Sequence, residues 1–89
     1  MERKKNYFAG PSVMPVEVLE QLRDQMVEYN NQGLSMIEAS HRGGMFESMY
    51  DECLALFREL LGISDEYDVY FLGGGATLQF TMIPMNFLR

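Results

Sequence analysis

The chain has 89 residues, of which 47% are hydrophobic and 22% charged, a composition typical of one small globular unit and not of a disordered chain. Its net charge is −6, and its one basic cluster, Arg3-Lys4-Lys5, lies at a terminus, which argues against a nucleic-acid partner. One cysteine excludes an internal disulfide and a cysteine-based metal cluster. The lack of a leader-like segment or of a run of about 20 apolar residues predicts a cytoplasmic protein without a membrane span.

The first third of the chain predicts an arm followed by a helix. Residues 1–14 are expected to be extended and to end in the turn-forming group Gly10-Pro11-Ser12. Pro15 suits the first position of a helix, and apolar residues then recur at steps of three and four as far as Tyr29. The polar run 30–33, which ends in glycine, predicts the end of that helix.

The middle of the chain predicts a short helical turn, a loop and a second long helix. Ser35 and Glu38 have the spacing of a capping box, which favours a helical turn at these positions. The polar and glycine-rich residues 40–44 predict a loop. An apolar stripe then begins near Met45, and Gly62 is suited to end the helix that carries it.

The last part of the chain predicts a strand, a glycine turn and a third helix. Residues 68–72 combine β-branched and aromatic side chains without polar alternation, as in a strand buried on both faces. Gly73-Gly74-Gly75 follows, and a helical pattern begins near Thr77, with a kink expected at Pro84. A single strand cannot form a sheet, so the chain is expected to be an incomplete α/β domain, residues 1–89 without an internal boundary.

The glycine turn is the segment most suggestive of chemistry. Glycines allow close approach of a ligand to the backbone, and the first turn of a helix offers unpaired N–H groups and partial positive charge to a phosphate. The segment lacks the lysine of a P-loop, and Leu78 replaces the third glycine of a dinucleotide fingerprint. The alternative is a tight strand-to-helix connection that binds nothing.

A second candidate is the loop Ser40-His41-Arg42, which precedes two glycines. The planar guanidinium of Arg42 can grip a carboxylate or phosphate with two parallel hydrogen bonds, and His41 can add a donor. The alternative is an ordinary solvated surface loop.

Five stretches resemble, in order and spacing, the phosphoserine aminotransferase family of fold-type I pyridoxal-phosphate enzymes. They are NYFAGP (6–11), MPVEVL (14–19), SMIEASHRG (35–43), YFLGGGATLQF (70–80) and IPMN (83–86). Each stretch is weak by itself, but together they extend from about residue 5 to the end. The resemblance implies the N-terminal part of the family's large domain, which contributes helices and one strand to a mostly parallel seven-stranded sheet.

The resemblance also implies an activity and its participants. The family transfers an amino group from glutamate to 3-phosphohydroxypyruvate on the route to serine, works as a homodimer, and holds pyridoxal 5'-phosphate as a Schiff base on a lysine. By the same resemblance, Gly75, Ala76 and Thr77 contact the cofactor phosphate, Arg42 binds a substrate carboxylate, and His41 helps with the substrate phosphate.

Three features depart from the family pattern, the first being Ala9, which stands where the family often has a serine. Ala76-Thr77 stands where relatives can carry a Gly-Arg pair, which leaves backbone donors and one hydroxyl but no arginine charge. The family's cofactor-bearing lysine lies beyond residue 89, so no catalytic residue is assigned and the chain is expected to be inactive alone. The alternative function is a small non-catalytic protein that binds phosphate or docks on another subunit.

Overall fold

A computed structural model describes residues 2–89 of the chain. In chain order it contains α1 (Val16–Gln25), a 3-10 turn (Met36–Glu38), α2 (Gly44–Leu61) and α3 (Gly75–Phe87). The chain divides into two compact units, one up to Glu52 and one from Cys53 onward, so that the division falls within α2. The sequence predicted residues 1–89 as one segment without an internal boundary, and that remains a prediction.

In the first unit, α1 is shorter than its apolar pattern predicted. Pro15 is the N-cap rather than the first helical residue, and the helix ends at Gln25, about one turn before Tyr29. The reason is a competing loop: the Tyr29 N–H donates to the Leu34 carbonyl at 2.8 Å, and the Glu28 carboxylate accepts the Gly33 N–H at 2.8 Å. These bonds use backbone groups that a longer helix would have needed.

The predicted capping box is present and begins the 3-10 turn. The Ser35 hydroxyl accepts the Ile37 N–H at 3.2 Å, while the Glu38 carboxylate accepts the Ser35 N–H at 2.9 Å. Ser35 is the one buried residue among residues 2–89, with 6% of its surface exposed. The reciprocal bonds satisfy donors that the start of a helical turn leaves unpaired, so local sequence alone accounts for this element.

In the second unit, α2 ends as the sequence predicted. Gly62 adopts a left-handed φ of 62°, its N–H donates to the Glu59 carbonyl at 3.4 Å, and the Ile63 N–H donates to the Arg58 carbonyl at 2.9 Å. This pair of bonds is the Schellman arrangement, which satisfies the last carbonyls of a helix and turns the chain away from its axis.

The predicted strand at 68–72 is not formed, because no strand occurs among residues 2–89. A strand exists only through hydrogen bonds to a neighbouring strand, and no second segment of this chain has a strand pattern. Three of its large side chains are exposed instead, Tyr70 at 70%, Phe71 at 41% and Leu72 at 59%. The helices agree with an α/β fragment, while the sheet stays a prediction.

Helix α3 begins at Gly75, two residues earlier than expected, and continues past Pro84 to Phe87. Proline has no N–H, so the bond from position 84 to the Phe80 carbonyl is missing within the helix. The final turn is nevertheless closed by the Leu88 N–H, which donates to the Pro84 carbonyl at 2.9 Å. The kink expected at Pro84 remains a prediction.

Neither unit contains a hydrophobic core of its own. No apolar residue among residues 2–89 is buried, and large side chains such as Phe80 (83%) and Phe87 (79%) are mostly exposed. None of the helices in this range has the length and apolarity needed to cross a membrane. In each unit, local hydrogen bonds hold the polar loops.

Candidate functional site

The glycine turn of the second unit has a backbone that only glycine accommodates. Gly74 is the N-cap of α3 with φ 91°, and a Cβ placed there would overlap the side chain of Leu78. Gly75 follows with φ 57°, whereas a Cβ at Gly73 would meet nothing within 4 Å. The close approach between Gly74 and Leu78 leaves no room for a side chain at position 74, where the chain enters α3.

The first turn of α3 begins with unpaired N–H donors. The first main-chain bond of this helix runs from the Leu78 N–H to the Gly74 carbonyl, at 3.2 Å. The N–H groups of Gly75, Ala76 and Thr77 precede it, no side chain caps the helix, and its first turn has no acidic residue. Three orphan N–H groups and the positive end of the helix dipole fit a phosphate.

The three residues predicted to contact the cofactor phosphate are exposed on this turn. Pyridoxal phosphate therefore has a chemically suitable anchor for its phosphate: backbone donors from Gly75 to Thr77 and the Thr77 hydroxyl. The two lysines of the chain, Lys4 and Lys5, lie in the arm of the first unit. The second unit itself contains no lysine.

The His41-Arg42 loop of the first unit is organised by Ser40. The Ser40 hydroxyl accepts the Arg42 N–H at 3.2 Å, and the Ser40 carbonyl accepts the Gly43 N–H at 2.9 Å. A Cβ at Gly43 would come within 3.3 Å of that carbonyl, so glycine keeps the turn tight. The loop thus holds both predicted substrate-binding side chains at the start of α2, where both residues are exposed.

An open groove of about 290 Å³ is lined by His41, Arg42, Phe46, Glu47 and Tyr50. The Arg42 guanidinium forms no ion pair within the described residues, whose one ion pair joins Arg23 to Asp24. Its donors are therefore available for an anion. The carboxylate of Glu47 in the same groove opposes an anion, whereas the rings of Phe46 and Tyr50, 6.1 Å apart, give the groove an apolar wall.

Sequence reasoning did not identify Phe46, Glu47 and Tyr50 as groove residues. A signal was present, since positions 46 and 50 are one turn apart on a helix that starts directly after the His41-Arg42 loop. Of the three, only Phe46 was interpreted, as part of the apolar stripe of the second long helix. No cluster of three or more metal-ligating side chains occurs among residues 2–89.

Comparison with known proteins gives one consistent result. The sequence matches the family Aminotransferase class-V over residues 6–89. It is 52% identical, over all 89 residues, to a phosphoserine aminotransferase of Bacillus thuringiensis subsp. konkukian, and 50% identical over 87 residues to one of Bacteroides fragilis. The match covers 25% and 24% of those two relatives. A small independent phosphate-binding or docking protein is not favoured by these matches.

Solved structures agree with the sequence matches. The phosphoserine aminotransferase from Bacillus circulans subsp. alkalophilus has a TM-score of 0.92 and 46% identity, covering 100% of this chain and 25% of that one. The phosphoserine aminotransferase of Trichomonas vaginalis, solved with PLP bound, has a TM-score of 0.91 and 40% identity, covering 97% of this chain and 25% of that one. The chain thus corresponds to about a quarter of the length of these relatives, and it belongs to the class-V aminotransferase family.

Proposed function

We propose that these 89 residues form part of a phosphoserine aminotransferase. This enzyme transfers an amino group from glutamate to 3-phosphohydroxypyruvate. The observation that carries the proposal is the glycine turn, where a backbone restricted to glycine at position 74 presents three unpaired N–H groups at the start of α3. A phosphate is the ligand for which such an arrangement is suited. The family match over residues 6–89 makes pyridoxal phosphate the phosphate compound we infer.

In this proposal each unit of the chain binds an anion. The N–H groups of Gly75, Ala76 and Thr77 hold the cofactor phosphate, with the Thr77 hydroxyl as a further donor. Arg42 binds a substrate carboxylate, and His41 assists with the substrate phosphate. When bound, the cofactor supplies an electron sink for the amino-group transfer. The roles of the chain's own residues are binding and orientation, which raise the effective concentration of the reacting groups.

The remaining architecture is proposed on the same basis. Residues 68–72 become a strand when other strands of a mostly parallel sheet pair with them. The active protein is a homodimer in the cytoplasm. The exposure of Tyr70 and Leu72, at 70% and 59%, supports a missing neighbour at this segment, because apolar side chains of a parallel sheet are normally buried.

The proposal is tested with a hybrid protein, in which this chain replaces the matching quarter of the Bacillus thuringiensis relative, 52% identical to it. We expect the hybrid to form phosphoserine from glutamate and 3-phosphohydroxypyruvate in a coupled assay. The isolated 89-residue chain is expected to show no turnover with the same substrates, because neither of its lysines lies in a site. Failure of a folded hybrid to turn over, or turnover by the isolated chain, would contradict the proposal.

Two substitutions in the groove should change substrate affinity in opposite directions. Arg42→Met removes hydrogen bonds to a charged group, worth about 1.5–3 kcal/mol, so the KM for 3-phosphohydroxypyruvate should rise roughly 10- to 100-fold. Glu47→Gln removes an exposed like charge, so the same KM should fall by about two- to fivefold. The matched control is Arg23→Met on α1, whose guanidinium bonds to Asp24 at 2.9 Å and should leave KM unchanged. Equal effects of Arg42→Met and Arg23→Met would refute the assigned role of Arg42.

A further inference from the structure

Arg58, in the last turn of α2, binds the backbone that leads toward the glycine turn. Its two terminal guanidinium nitrogens donate to the Ser64 carbonyl at 3.1 Å and to the Tyr67 carbonyl at 2.8 Å. The carbonyls lie six and nine residues beyond Arg58, on the connection between α2 and residues 68–72. One planar side chain thus joins a helix end to two points of a loop that has no regular structure of its own.

The choice of acceptors is informative, because carboxylates are available nearby in sequence. Glu59, Asp65, Glu66 and Asp68 all lie within ten positions of Arg58. None of them forms an ion pair with it, since the one ion pair of the described residues is Arg23–Asp24. The guanidinium instead donates to main-chain carbonyls. These bonds fix the position of the backbone and neutralise no carboxylate.

A ring contact from the neighbouring residue fixes the same connection at a second place. Phe57 and Phe71 meet edge to face, with ring centroids 5.1 Å apart and an interplanar angle of 66°. Phe71 lies two residues before Gly73, so the contact is made close to the glycine turn. Adjacent residues of α2 therefore hold the connection at 64–67 and at 71, and the loop that follows Gly62 is closed onto the helix end by side chains of that helix.

We propose that Arg58 is a positioning residue for the phosphate-binding turn: by holding the Ser64 and Tyr67 carbonyls against the end of α2, it sets where the N–H groups of Gly75, Ala76 and Thr77 meet the cofactor phosphate. The inference rests on the proposed function and adds to it a residue that does not touch the cofactor. Lysine can replace arginine only in part here, since a single ammonium lacks the planar fork that reaches both carbonyls at once.

The test compares two ligands that differ only in the phosphate. Apo hybrid protein is titrated with pyridoxal phosphate and, separately, with pyridoxal. In the Arg58→Met variant we expect the Kd for pyridoxal phosphate to rise about tenfold, at the low end of the effect of outer-shell partners on a bound group, while the Kd for pyridoxal stays within twofold. Arg58→Lys should lie between the parent and Arg58→Met, and it replaces that variant if Arg58→Met does not fold.

The control and the parent protein separate this inference from the proposed function. Arg23→Met removes an arginine of the first unit that pairs only with its neighbour, and both Kd values should be unchanged. If the parent prefers pyridoxal phosphate but Arg58 variants keep that preference, or lose affinity for both ligands equally, the positioning role is wrong and the proposed function stands. If the parent shows no preference for the phosphate form, the proposed phosphate site is wrong and the inference fails with it.

Discussion

At the scale of single residues, Gly74 is the position at which an added methyl group should most weaken the binding of pyridoxal phosphate. Its φ of 91° costs an L-residue about 1–2 kcal/mol, and the added Cβ would also overlap Leu78. We expect Gly74→Ala to shift the start of α3 and to raise the Kd of the hybrid for pyridoxal phosphate by about tenfold or more. Ligand titration of the apo protein measures the change.

Gly73→Ala is the matched control for that substitution. A Cβ at Gly73 would meet nothing within 4 Å, and the residue precedes the first turn of α3. Its Kd should stay within about twofold of the parent, because an exposed substitution without strain usually changes a free energy by no more than about 0.5 kcal/mol. Similar losses in both variants would show that the glycine turn does not depend on the geometry of Gly74.

At the scale of elements, the helix ends and turns are fixed by short-range hydrogen bonds. The clearest case is the 3-10 turn, whose Ser35 hydroxyl accepts the Ile37 N–H. Removing a serine cap typically costs about 1 kcal/mol, so Ser35→Ala should increase amide hydrogen exchange at Ile37 and Glu38 of the hybrid about fivefold. Ser48→Ala, at an exposed serine of α2, should leave these amides unaffected. Unchanged exchange in Ser35→Ala would mean that tertiary packing, not the cap, holds this turn.

Short-range hydrogen bonds also explain why the predicted end of α1 was wrong. Apolar periodicity extended the first helix to Tyr29, yet the helix ends at Gln25, because the Tyr29–Leu34 and Glu28–Gly33 bonds close a loop there. An apolar pattern indicates which face of a helix is apolar. It does not indicate where hydrogen bonds of a following loop end that helix. The end of α2 was predicted correctly because glycine is the residue favoured at the left-handed position after a helix, and Gly62 adopts that conformation.

At the scale of the whole molecule, the exposed apolar surface limits what the chain can do alone. No apolar residue between positions 2 and 89 is buried, so little hydrophobic free energy offsets the conformational entropy of ordering the chain. We expect the isolated chain to lose its helical circular dichroism gradually with temperature or urea and to bind a hydrophobic dye. The hybrid should melt sharply under the same conditions. A cooperative transition of the isolated chain would contradict this expectation.

The sequence by itself determined the features that depend on neighbours in the chain. The capping box, the glycine end of α2, the helical pattern after the glycine turn and the position of the His41-Arg42 loop follow from residue types and their spacing. The family followed in the same way, because ordered stretches in register across nearly the whole chain are specific, and the match over residues 6–89 agrees with it.

The tertiary structure decided what depends on atoms distant in sequence or on backbone angles. Only the structure revealed that Arg58 binds the Ser64 and Tyr67 carbonyls, that Phe46, Glu47 and Tyr50 share a groove with Arg42, and that α1 ends at Gln25. It also left residues 68–72 without strand structure, although their side chains favour a strand. The physical reason is that helices and caps complete their hydrogen bonds locally, whereas a strand completes them only with a partner strand.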